Sequence, residues 1–157
     1  MIVVADTSPI NYLILIGEID VLAALYGRVV IPLAVHDELT RSRAPLAVRS
    51  WITNHPHWIE VQVPVDVTDS SLSRFDAGER QAIALAQELS ADQLIVDELL
   101  GRREAERRGI SVIGTIGVLR EAAENGLLDL RKAVESLSRT SFHISPAILA
   151  ALLKDLH

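Results

Sequence analysis

Two carboxylates of this sequence stand directly behind apolar runs, a position from which side chains commonly do chemistry. Asp6 comes right after the run at 2–5, and Asp97 right after the run at 94–96. If both runs are parallel strands, both acids sit at carboxyl ends, where ligands of open α/β sheets gather near the switch in strand order. Glu79 lies a helical turn before the apolar stripe Ala82, Ile83, Ala86 and Leu89. It is therefore on the sheet-facing side, at the helix end whose partial positive charge tolerates an anion. Glu38 shares a helix face with Ala34 and Val35, whereas Asp37 and Arg41 point elsewhere. Carboxylates crowded in this way repel, so without a cation at least one takes up a proton. Oxygen donors with no cysteine and no histidine cluster suit Mg²⁺ or Mn²⁺ rather than zinc. Such an ion polarises a phosphate oxygen and lowers the pKa of bound water. Phosphodiester hydrolysis is the reaction that uses the set best.

Each acid also has an ordinary explanation. Asp6 and Asp97 can each cap the adjoining helix or loop, although Ser8 is the better cap for a helix with Pro9 in its first turn. Glu79 stands three residues after Asp76, the spacing of a capping box, and Glu38 alone reads as a surface residue. Spacing leaves both readings open. Glu98 adjoins Asp97, and acids at a helix start need no catalytic reason. His36, His55, His57, His143 and His157 form no compact ligand set. Gly114 and Gly117 lack the rest of a dinucleotide fingerprint, and no phosphate loop is present, which weighs against NAD binding and ATP hydrolysis. A phosphatase with Asp6 as nucleophile would want an aspartate two residues on, where Ser8 stands.

Positioning these acids requires alternating strands and helices. Strands are expected at 2–5, 28–31, 93–96 and 110–113, with a β-rich stretch at 58–68. Helices are expected at 10–16, 19–26, 33–40, 45–55, 77–89, 98–108, 115–125 and 129–138. Ser145-Pro146 opens a last one, with serine as cap and proline just inside. Short apolar strands between such helices imply βαβ units and a parallel sheet covered on both faces.

The 157 residues fit one domain, and 49% hydrophobic content supplies a mainly aliphatic core. The absence of cysteine excludes disulfides, thiolate catalysis and sulfur-ligated zinc. No secretory signal and no run of eighteen apolar residues is visible, so a cytoplasmic, non-membrane protein is expected. A net charge of −6 argues against nonspecific coating of nucleic acid. Thirteen of the fifteen basic residues are arginine, which matches phosphate with its planar fork and is equally common in GC-rich genomes. Arg102, Arg103, Arg107 and Arg108 form a basic side of one helix, suited either to a phosphate backbone or to pairing with Glu104 and Glu106. Trp51 and Trp58 suit packing or a protein interface better than base stacking.

The ordered series VVADTSPINYLILIG at 3–17, VVIPLAVHDEL at 29–39, GERQAIALAQEL at 78–89 and LIVDELLGRREAERRGISVIGTIGVL at 94–119, closed by FHIS at 142–145, resembles the PIN domain family. The nearest branch is the DUF3368 type, related to VapC toxins. The resemblance implies a three-layer α/β/α sandwich with a central parallel sheet, as a single domain over 1–157 with 127–157 a helical C-terminal extension. It implies a metal-dependent endoribonuclease using Mg²⁺ or Mn²⁺, the toxin of a toxin–antitoxin pair. The alternative is a PIN-fold nucleic-acid-binding module with little or no catalysis. By resemblance Asp6 is the first metal ligand, Glu38 the second acid, Glu79 stands where many relatives have aspartate, and Asp97 is the acid after the last central strand. Thr7 and Thr115 would offer hydroxyls near these ligands or the substrate, and Arg102 and Arg103 would contact RNA. A cognate antitoxin covering the acidic cleft and a homodimer are the expected partners.

Overall fold

The apolar runs pair into one parallel sheet. The computed structural model describes residues 1–66 and 68–154; Val67, within the expected β-rich stretch, and His157 lie outside them. The strands are β1 (Val3–Ala5), β2 (Val29–Pro32), β3 (Ile59–Gln62), β4 (Gln93–Ile95) and β5 (Val112–Ile113). Their order is β3-β2-β1-β4-β5, with every pairing parallel. The chain builds outward from β1 to β3, then crosses back so that β4 pairs with the free edge of β1, Val4 opposite Leu94. The direction of winding therefore changes at β1. The carboxyl ends of β1 and β4 flank the crevice where such sheets place ligands.

Strand alternation divides the core into two layers. Val3, Ala5, Val29, Ile31 and Ile95 face one way. They meet Ile10 and Leu13 of α1 (Thr7–Leu15), Val35 and Leu39 of α3 (Leu33–Thr40), Val48 and Ile52 of α4 (Leu46–Thr53), and Val118 and Leu119 of α7 (Thr115–Glu124). The short α2 (Val21–Tyr26) adds Leu22, and α8 (Leu130–Ser138) adds Ala133 and Leu137. Val4, Val30, Leu94 and Val96 face the other way, against Ala82, Ile83, Leu85 and Ala86 of α5 (Ala77–Glu88) and Ala105 of α6 (Leu99–Arg107). This is the expected α/β/α sandwich with both faces of its parallel sheet covered. Burying each large aliphatic side chain stabilises the fold by roughly 1.5–3 kcal/mol.

Several boundaries move for local reasons. The β-rich stretch contracts to β3, and Pro64 soon after it cannot donate to a ladder. The strand expected at 110–113 shortens to Val112–Ile113, while Ile110 turns inward and packs beneath α6. The last helix, α9 (Pro146–Lys154), begins as expected: Ile148 N–H donates to Ser145 Oγ. Trp51 and Trp58 pack against each other at the core margin, with ring centroids 5.7 Å apart.

Candidate functional site

The turn from β1 into α1 places the first acid. Helix α1 starts at Thr7, three residues earlier than the sequence suggests, and Asp6 rather than Ser8 occupies its N-cap position. The chain bends directly from strand to helix, so Pro9 falls third in the helix, where its missing N–H is still harmless. Asp6 nevertheless makes no side-chain capping bond. Its residue is 4% exposed, and Oδ1 is buried without a hydrogen-bond partner. Capping therefore does not account for this aspartate. Burial pushes its carboxyl up to about 7. The nearby Thr7 amide pulls the other way, while Asp76, Glu38 and Asp97 add like-charge repulsion.

Asp6, Glu38 and Glu79 line one cleft of about 480 Å³, together with Asp76, Glu98, Arg41 and Arg43. Thr7 Oγ1 donates to Glu38 Oε2 at 2.9 Å and orients it. Asp76 caps α5 by accepting from Glu79 N–H at 2.9 Å, so half of the expected capping box forms. The Glu79 carboxyl lies against Asp76 and is pushed up to about 8, by burial first, then by the charge and hydrogen bond of Asp76 and the charges of Asp6 and Glu98. The crowding expected from the sequence is thus present: Glu38 and Asp97 press on Asp6, Asp6 presses on Glu79, and two further acids, Asp76 and Glu98, join them.

Asp97 stands differently. Its Oδ1 accepts from Thr115 N–H at 2.7 Å, and its Oδ2 accepts from Thr115 Oγ1 at 2.7 Å and from Ser8 Oγ at 2.8 Å. It faces an adjoining groove rather than the acid cleft. One carboxylate therefore ties the end of β4 to the first turns of α1 and α7. This is why Ser8 is unavailable as a cap: its hydroxyl is spent on Asp97. Thr7 and Thr115, expected to supply hydroxyls near the ligands, each donate to a candidate acid.

Three glycines sit behind these carboxylates, and nothing in the spacing of the acids points to them. A Cβ on residue 78 would lie 3.0 Å from Thr7 Oγ1, 3.1 Å from Glu38 Oε2 and 3.4 Å from Asp6 Oδ1. One on residue 101 would lie 3.1 Å from Glu79 Oε2, and one on residue 114 would lie 3.0 Å from Asp97 Oδ1. The available signal is that Gly78 and Gly101 fall within helices, where glycine is disfavoured unless something approaches closely.

The basic side of α6 divides. Arg107 and Arg108 turn to Glu104, which is 5% exposed and also paired with Arg74. Arg108 reaches on to Asp69, Ser71 and Gln87. Burial alone would raise the Glu104 pKa, but the hydrogen bonds from Arg107 and Arg108 outweigh it and hold the carboxyl below the usual range. These two arginines brace the fold. Arg102 lines the groove beside Asp97, whereas Arg103 is exposed and lines neither cleft.

The order of strands, the acids at their ends and the motif series meet one further observation. The chain matches the DUF3368 family model, a PIN domain, over residues 2–157. It belongs to the PIN domain family. Proteins of this family are generally nucleases and usually use divalent metals. No curated protein and no solved structure matches the chain. In this PIN domain, among the described residues, no helix is long and apolar enough to cross a membrane.

The donor set fits a hard divalent cation in chemistry. An orphaned, buried Asp6 oxygen and a Glu38 oxygen converge on the space that Gly78 leaves free, and every candidate donor is oxygen. It is not gathered in advance: among the described residues no three acids or histidines already stand at metal-holding geometry. Glu38 and Glu79 are only partly buried, which leaves their carboxylates room to turn toward a cation.

Proposed function

We propose that this PIN domain is a Mg²⁺- or Mn²⁺-dependent endoribonuclease acting at the cleft of Asp6, Glu38 and Glu79. The observation that carries the reading is Asp6, buried with an unpartnered oxygen and held at the carboxyl end of the central strand. Carboxylates are costly to bury unpaired, and a cation is the partner that this all-oxygen surrounding suits.

In this reading Asp6 and Glu38 hold the cation, and Thr7 keeps Glu38 turned toward it. The cation, when bound, neutralises the crowded charge and polarises a phosphoryl oxygen. Burial and the crowded acids hold the Glu79 carboxyl up at about 8, so it would ionise once a cation offsets their charge, and would then accept a proton from the attacking water at a carboxylate oxygen. The water oxygen bonds to phosphorus as the bond to the 3′ oxygen breaks. The products are a 5′-phosphate and a 3′-hydroxyl, and the departing oxygen takes its proton from solvent. Asp97 is a positioning residue, holding α1 and α7 at the mouth of the site.

The test is cleavage of labelled single-stranded and structured RNA with Mn²⁺, with EDTA and with Asp6→Asn. Cation-dependent cleavage that disappears in the variant supports the reading. A second reading, a nucleic-acid-binding PIN module without catalysis, is favoured by the absence, among the described residues, of a pre-gathered donor set. RNA binding with no cleavage over a broad panel would establish that alternative.

The toxin role, a homodimer and a cognate antitoxin rest on the family resemblance alone. The antitoxin would cover the acid cleft and block its carboxylates. Light scattering on the purified chain tests the dimer. Relief of growth arrest by a neighbouring small gene product tests the pair.

A further inference from the structure

The arginines sort into two groups. Seven have acceptors: Arg28, Arg74, Arg107 and Arg108 on carboxylates, and Arg49, Arg80 and Arg131 on backbone carbonyls. Among the described residues the other six have no acceptor: Arg41, Arg43, Arg102, Arg103, Arg120 and Arg139. Four of these line two contiguous clefts. Arg41 and Arg43 stand at the acid cleft, and Arg102 and Arg120 stand in the groove beside it. In a chain of net charge −6 with many surface acids, unpaired guanidinium groups collect where a polyanion would have to lie.

The groove has further properties of a binding site. Its volume is about 1000 Å³, and it shares Ser8, Tyr12 and Glu98 with the acid cleft, so one strand can pass through both. Arg102 Nε is buried with no acceptor, an expensive state for a charged donor unless a ligand completes it. Asp97 lines the same groove but forms no ion pair with Arg102; its oxygens accept from Thr115 and Ser8 instead. Gly114 lines the same groove, and a Cβ there would press on Asp97 Oδ1 at 3.0 Å. Across the groove Tyr12 and Phe142 meet edge to face, with centroids 5.1 Å apart, giving an aromatic wall for a base.

We infer that this groove is a subsite for the nucleotide next to the cleaved bond of a single-stranded RNA, with its phosphate held by Arg102 and Arg120 and its base against Phe142. The inference rests on the nuclease reading above. It assigns to Arg102 and Arg120 a role in holding substrate and none in bond breaking.

The test separates the two. Binding of a short fluorescein-labelled single-stranded RNA is followed by anisotropy in an Asp6→Asn background, where the nuclease reading expects no cleavage. Arg102→Gln, which keeps much of the packed stem, and Arg120→Ala are each expected to weaken binding about tenfold, the effect of losing one charge-assisted contact. Each should also lower the slope of log affinity against log salt by about 0.7. Arg139→Ala, at the end of α8 and outside both clefts, is expected to change neither. With Asp6 intact, the groove variants should raise the RNA concentration that gives half-maximal single-turnover cleavage about tenfold.

Equal weakening by Arg139→Ala, or unchanged affinity in both groove variants while the parent cleaves RNA, overturns the subsite and leaves the nuclease reading standing. Failure of the parent to bind or cleave RNA overturns both. A matched DNA strand bound with the same loss on Arg102→Gln shows a groove that reads phosphate and base without selecting RNA, which overturns the RNA assignment.

Discussion

Replacing Asp6 by asparagine should stabilise the metal-free protein while abolishing its activity. In the folded chain burial raises the Asp6 carboxyl from 3.8 to about 7. Between those values the folded state holds a proton that the unfolded state has released. The stability contributed by that proton is complete below about pH 4 and is lost as pH rises through about 7. A shift of about three units at about 1.4 kcal/mol each makes the full loss about 4 kcal/mol. Asparagine is neutral throughout and does not suffer it.

The difference between variant and parent, measured by urea unfolding in EDTA, should therefore grow by about 4 kcal/mol from pH 4 to pH 8 and then level off. In thermal melts this is on the order of 10 °C for a domain of this size. Saturating Mn²⁺ should reverse the ranking at pH 8, because only the parent gains the ion. A difference that stays flat with pH, or a variant less stable than its parent at pH 8 in EDTA, would refute the account of Asp6 as a buried carboxylate awaiting a cation.

Gly78→Ala should gain up to about 1 kcal/mol of helix propensity yet lose at least tenfold in cleavage and in Mn²⁺ affinity, because its methyl enters the space shared by Thr7, Glu38 and Asp6. Calorimetric Mn²⁺ titration beside a thermal melt reads both. Thr115→Val removes one of three hydrogen bonds to Asp97 and should cost about 1.5 kcal/mol in stability, with a fall in kcat larger than any change in KM. Glu104→Gln removes the carboxylate shared by three arginines, of which Arg108 alone keeps another in Asp69, and should cost about 3 kcal/mol by urea unfolding at pH 7. That cost should shrink as pH falls below the ordinary carboxylate range, since a group held low contributes its stability only while ionised.

The layering of this fold was legible because apolar runs and helical stripes report burial directly. Val3, Val4 and Ala5 announce a strand covered on both faces, and the stripe from Ala82 to Leu89 announces the helix that covers one of them. Asp6 was legible because it stands at the end of such a strand. Asp97 was equally conspicuous, yet its partners lie far away in sequence. Its bonds to Ser8 and Thr115 depend on β1 and β4 lying side by side, which no local pattern encodes. The division among the arginines was hidden for the same reason. By spacing, Arg107 and Arg108 look like ordinary helix-surface charges, and only the fold brings Asp69 and Arg74 to the same buried glutamate and its partners.

The central place of β1 has a consequence for the order of events at synthesis. Its two neighbours come from residues near 30 and near 94, so its second edge stays open until the later half of the chain exists. Closing so long a loop is slow compared with forming any helix. Asp6 and Glu38 leave the ribosome early, but the wall supplied by Glu98 and the brace of Asp97 arrive only after β4 has docked. Emerging chains therefore carry their acids without a cleft. An RNA-cutting protein built this way would stay harmless to the message and ribosome producing it until translation was largely finished.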